Sequence, residues 1–168
     1  MPFTPIHFGP GAAIKAVAPQ HFSFTIFCFA QVVTDCETAF YMLRGEYPFH
    51  RFCHTFVGAT LVAAGSVIVG RPVCEFALRV WAAWRHAPFR RFIPTTSISL
   101  RAAAVGAFVG TYSHVVLDGI MHDDVAPFAP FSTANPFHGI LTPMALNAFC
   151  LLFGVFGLLV AERRTRSV

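Results

Sequence analysis

The chain has 168 residues, of which 55% are hydrophobic and only 12% charged, and its formal net charge is +4. Roughly a quarter of the residues of an ordinary soluble domain are charged, so this composition excludes one and indicates a chain built for a lipid bilayer. Five cysteines, odd in number and without a Cys-x-x-Cys pair, exclude a disulfide framework and a zinc ribbon and read as small apolar residues.

In chain order, the first 20 residues come first. Pro10 and Gly11 open a helix that Pro19 stops, leaving about eight residues, roughly 12 Å, too short to cross a bilayer. A half-membrane or re-entrant helix is expected there. No basic region precedes an apolar core, so the segment does not read as a cleaved signal peptide.

A bilayer core about 30 Å thick takes roughly 20 helical residues, and four stretches suit it: about 22 to 43, 53 to 69, 97 to 120 and 140 to 161. The second is short and needs its flank, Phe49 to Phe52, to complete a span. The fourth, "ILTPMALNAFCLLFGVFGLLVA", is the cleanest. Between the second and third, "VCEFALRVWAAWRHAPFRRF" sets Glu75, Arg79 and His86 along one helical face and Phe76, Val80, Trp81 and Trp84 largely on the other. That pattern predicts an amphipathic helix in the interface, with its arginines snorkelling, rather than a basic patch for nucleic acid. Gly106 and Gly110 form one Gly-x-x-x-Gly, a spacing that lets helices approach closely. The fold expected is an all-α integral membrane protein with one domain over 1–168: about four transmembrane helices, a short N-terminal re-entrant helix and an interfacial amphipathic helix.

Six of the twelve basic residues lie between 71 and 101, and Arg163, Arg164 and Arg166 follow the last span. The positive-inside rule puts both regions in the cytoplasm. The expectation is therefore a multi-pass protein of the inner membrane with a cytoplasmic C-terminus and with the connections 44 to 52 and 121 to 139 outside.

Ionisable groups inside a span cost about 2.5–3.5 kcal/mol each on insertion scales and are usually paired and functional. Here they gather at one end. Asp35 and Glu37 lie in the outer half of span one, His50 and His54 open span two, and His114 and Asp118 lie in the outer part of span three with His122 after them. Asp35 precedes the end of its span by eight residues and His114 by six, which gives a recess roughly 10 Å deep. Residues i and i+4 share a helix face, a spacing that fits His50 with His54 and His114 with Asp118. Imidazole and carboxylate together suit zinc, manganese or iron, zinc foremost. His21 and His86 read as ordinary polar residues, His138 stays open between ligand and loop residue, and Glu46, Asp123 and Asp124 read as solvated loop charges.

At these residues the chain resembles the membrane-bound metal-dependent hydrolases, small inner-membrane proteins of bacteria and archaea. The shared motifs are "FTPIHFGPG" with His7, "TDCE" with Asp35 and Glu37, "HRFCHT" with His50, Arg51, His54 and Thr55, and "SHVVLD" with Ser113, His114 and Asp118. The family's acidic motif is often Pro-Asp-x-Asp, where this chain has Thr-Asp-Cys-Glu. The resemblance implies that His7 joins the site, which requires an N-terminal segment that starts outside or is re-entrant.

The expected activity is hydrolysis of a phosphoester or acyl bond in a lipid or lipid-linked substrate, among membrane lipids at the outer side. One or two divalent metals, zinc foremost, would be bound by His7, Asp35, His50, His54, His114 and Asp118. Asp35 or Asp118 could bridge two ions, Glu37 is the candidate general base, and Arg51 is placed to hold an anionic head group. The alternatives are a haem-binding membrane protein with axial histidines, a proton or metal transporter, and an accessory subunit with a structural site.

Overall fold

A computed structural model describes residues 4–84 and 95–166. The described residues are all helical in their regular structure, and four helices are long and apolar enough to cross a membrane. In order the helices are α1 (Thr4–Val17), α2 (Phe24–Arg44), α3 (Phe56–Gly65), α4 (Arg71–Ala83), α5 (Leu100–Met121) and α6 (Pro143–Arg166), and the four spans are α2, the joined α3 and α4, α5, and α6. Each spanning helix starts on a hydroxyl cap. The side-chain oxygens of Ser23, Thr55, Ser99 and Thr142 accept from Ile26 N, Gly58 N, Ala102 N and Ala145 N respectively, taking up amides that a first helical turn leaves without partners. Gly45, at φ 66°, ends α2 in the left-handed region.

The second span differs from the sequence expectation. It gains nothing from Phe49 to Phe52. A short 3-10 turn, Phe52–His54, comes first, and α3 starts after the Thr55 cap. At its other end it continues through a π-helical stretch, Ser66–Gly70, straight into α4, making one helix of 28 residues. Pro72 has no N–H to give to the preceding turn, and the wider π turn just before it absorbs that missing bond. The amphipathic segment is thus joined to span two rather than set apart from it. Glu75 bonds Arg71 and Arg79 at 3.3 Å each and accepts from Ile98 N at 2.8 Å. The expected continuation of this helix past Trp84, with His86, lies outside the described residues.

α1 begins at Thr4 rather than at Pro10 and runs 14 residues with Pro10 inside it, roughly 21 Å of helix, still short of a bilayer core. Lys15 closes its C-terminal end by donating to the carbonyls of Pro19 and Phe22 at 2.6 and 3.0 Å. α1 lies in close contact with α6. A Cβ at Gly9 would strike the carbonyl of Cys150, and one at Gly157 would strike the backbone of Ala12. Residue numbers rise together along the two helices, so they run parallel.

On the other side, a Cβ at Gly106 would strike the carbonyl of Ser23 and one at Gly110 would lie 2.8 Å from that of Phe27. The Gly-x-x-x-Gly pair is therefore the contact of α5 with α2. The core is small and interhelical: Ile26, Ala30, Ala63, Leu78, Ala103 and Ala107 between α2, the α3–α4 helix and α5, and Leu117, Leu146 and Cys150 between α5 and α6. Leu151, Leu152, Leu158 and Leu159 of α6 are exposed, as suits a face against lipid tails.

Candidate metal centre

The C-terminal ends of α2 and α5, the N-terminal end of α3 and the first turns of α1 meet at one end of the bundle. There the chain buries His7, His54, His114 and Asp118 almost completely, with His50 close behind. Asp118 is the hub. Its Oδ2 lies 3.2 Å from His114 Nε2, 3.3 Å from His54 Nε2 and 3.9 Å from His50 Nε2, and its Oδ1 lies 3.8 Å from His7 Nδ1. Asp35 Oδ1 approaches the same two nitrogens, at 3.0 Å from His114 Nε2 and 3.7 Å from His54 Nε2.

These spacings have a chemical reading. Bonds of about 2.0–2.2 Å in a tetrahedral shell set neighbouring donors about 3.3–3.6 Å apart. Asp35, His54, His114 and Asp118 offer one ligand atom each, all within 4.8 Å of one another, and the nitrogen-to-oxygen separations of 3.0 to 3.7 Å bracket the tetrahedral edge. Two carboxylates and two neutral imidazoles also balance a divalent charge. Several of the buried polar atoms here make no hydrogen bond: both nitrogens of His7 and of His54, His114 Nδ1 and Asp118 Oδ1. Each such atom costs about 1–3 kcal/mol if left unsatisfied, a cost that a cation removes for those that ligate it.

Two histidines are braced from behind. His50 Nδ1 lies 2.7 Å from Asp124 Oδ1, while Asp124 Oδ2 accepts from the backbone amides of Phe49 and His50 at 2.9 and 3.2 Å. Burial opposes ionisation of Asp124, but these bonds hold its carboxyl below the usual carboxylate range. Burial, with His54 beside it, pulls the His50 ring below its ordinary value, so near pH 7 it is neutral, the form that ligates a metal. Glu37 stands behind His54 at a longer distance, facing the outer nitrogen without a hydrogen bond to it. Its Oε2 lies 3.7 Å from His54 Nδ1 and accepts from Cys53 N at 2.8 Å. A carboxylate on the far nitrogen fixes ring orientation and raises ligand basicity.

All six histidines and aspartates expected as ligands are thus brought together, although His50 and His54 arrive by a coil and a 3-10 turn instead of one helix face. Their rings still meet, with centroids 4.7 Å apart. Glu37 reaches the outer nitrogen of His54 and not the space around Asp118. Arg51 stays in the turn, donating to the carbonyls of Pro48 and Glu46 at 2.9 and 3.2 Å with its guanidinium 3.6 Å from the Tyr41 ring centre. His138 and His21 are exposed and belong to no cluster.

Two residues join that the sequence did not single out as ligands. Asp124 is a buried brace and not a solvated charge, and His122 stacks on His50 with ring centroids 4.5 Å apart. The loop that carries them is folded back by Asn135 Nδ2, which donates to the Gly119 and His122 carbonyls, and by Phe56 N, which donates to that of Pro127.

No family model, curated protein or solved structure matches the chain.

Proposed function

We propose that the chain is a membrane-embedded, metal-dependent hydrolase that cleaves a phosphoester or acyl bond of a lipid or lipid-linked substrate at the outer side of the inner membrane. The observation that carries the reading is the buried tetrad of Asp35, His54, His114 and Asp118, whose donor spacing fits one tetrahedral cation. Zinc suits this mixed nitrogen and oxygen set. When bound, such a cation would supply Lewis acidity, and expansion of its shell to a fifth position would admit a water whose pKa falls to about 7.

The chain's own residues do the rest. Glu37 and Asp124 hold the His54 and His50 rings with their inner nitrogens toward Asp118, so Glu37 serves as a positioning residue in this reading. The half-exposed Arg51 at the same end is the contact for an anionic head group. A site at the end of a lipid-facing bundle favours a substrate that the bilayer delivers sideways. The arginine-rich 71 to 101 segment and the C-terminal arginines support a cytoplasmic position for the opposite end of the bundle.

The arrangement favours this over the alternatives. Imidazole rings only 4.7 to 5.3 Å apart around Asp118 leave no slot for a porphyrin. Toward the other end of α5 the buried residues are Thr111, Gly110, Ala107, Gly106, Ala103 and Ala102, none of them titratable, so this helix offers no relay for a transported proton or ion.

The test is turnover of chromogenic phosphodiester and carboxyl-ester substrates by the detergent-purified protein. The expected result is hydrolysis of one class that a chelator abolishes, that zinc restores and that Asp35→Asn lowers at least 100-fold. Turnover indifferent to the chelator, or none on either class with metal bound, contradicts the proposal.

A further inference from the structure

We propose that the centre takes two divalent cations bridged by Asp118, and that its substrate is a phosphoester anion; this rests on the metal-centre reading above.

The cluster holds more donors than one ion takes. A tetrahedral ion takes four ligands, and Asp35, His54, His114 and Asp118 Oδ2 already supply them. His7 and His50 remain, and both face Asp118, at 3.8 and 3.9 Å. Asp118 Oδ1, the oxygen on the His7 side, is buried with no hydrogen-bond partner, and so is His122 Nε2. His122 lies over His50, and ring nitrogens of both come within 4.8 Å of each other and of Asp124. The second cation therefore falls to Asp118, His7 and His50 Nε2, with His122 over His50 as the further donor and Asp124 bracing His50 as before.

Charge gives an independent argument. Of the eight acidic residues in the chain, four face this cluster: Asp35, Glu37, Asp118 and Asp124. Their carboxylates sum to −4, and the histidines are neutral when they ligate. One divalent ion leaves −2 in a buried site. Two ions leave zero, which avoids the cost of uncompensated buried charge.

The substrate class follows from what a carboxylate-bridged pair does. Two cations about 3.5–4 Å apart stabilise both the attacking and the leaving oxygen of an in-line displacement at phosphorus. One water is consumed: its oxygen bonds to phosphorus as the ester P–O bond breaks, and the proton it releases ends on the departing alcohol.

The experiment is a zinc titration of metal-free, detergent-solubilised protein, with bound metal measured after gel filtration. Two equivalents per chain are expected for the wild type and one for His122→Gln and His7→Gln, with thermal unfolding of each variant checking that it folds. Hydrolysis of bis(p-nitrophenyl) phosphate should appear with the second equivalent and fall at least 100-fold in both variants, and p-nitrophenyl acetate should not be a substrate. A wild type that saturates at one equivalent overturns the two-ion centre but leaves the metal-centre reading standing. No bound zinc overturns both. Two equivalents in either variant overturn the assigned ligands, and turnover of the carboxyl ester alone overturns the substrate class. Should a variant not fold, the wild-type stoichiometry still decides.

Discussion

Asp124 is 74 residues from His50 in the chain and 2.7 Å from its ring. A carboxylate behind a ligating histidine is worth about 10- to 100-fold in metal affinity, so Asp124→Ala should weaken zinc binding by that factor without unfolding the bundle. Competition against a chromophoric chelator measures it, and unchanged affinity contradicts the bracing role. Glu37→Gln tests the same device at His54 and should have a similar effect. The sequence could not single out Asp124, because an acidic pair just past a helix end looks the same whether water or backbone amides surround it. Asp35, His54, His114 and Asp118 were legible for the opposite reason. A charge or imidazole among apolar residues has a cost that only partners remove, and their positions within the spans set them at one depth.

Between helices, contact is decided by the absence of side chains. Gly106→Val drives a Cβ into the Ser23 carbonyl, and such overpacking costs about 1–3 kcal/mol. Gly65→Ala meets open space and should be neutral or slightly stabilising, since alanine is the better helix former. Thermal unfolding of the two variants in one detergent separates them, and equal stability means that α2 and α5 do not meet at Gly106. The Gly-x-x-x-Gly spacing was readable in the sequence, but its partner was not. The helix ends are less legible in the sequence. Pro10 and Pro72 both look like starts or stops in a propensity reading, yet α1 packed against α6 includes the first and a π turn accommodates the second.

At the scale of the molecule, α1 running parallel to α6 puts the start of α1 at the cluster end and the end of α6 at the other. That arrangement lets His7 reach the site while the arginine-rich C-terminus lies at the opposite end of the bundle. In a variant with its native cysteines replaced, an impermeant maleimide applied from outside should label Pro5→Cys and Ser132→Cys but not Arg163→Cys; labelling at 163 together with 5 contradicts the topology. The central claim is that this end of the bundle is a metal centre, and metal analysis of the purified wild type beside His114→Ala tests it most directly. The account predicts zinc or a similar divalent ion in at least one equivalent per wild-type chain, and a large loss in a variant that still folds. A wild type free of metal after zinc is supplied, or a His114→Ala protein that keeps its full content, would contradict it.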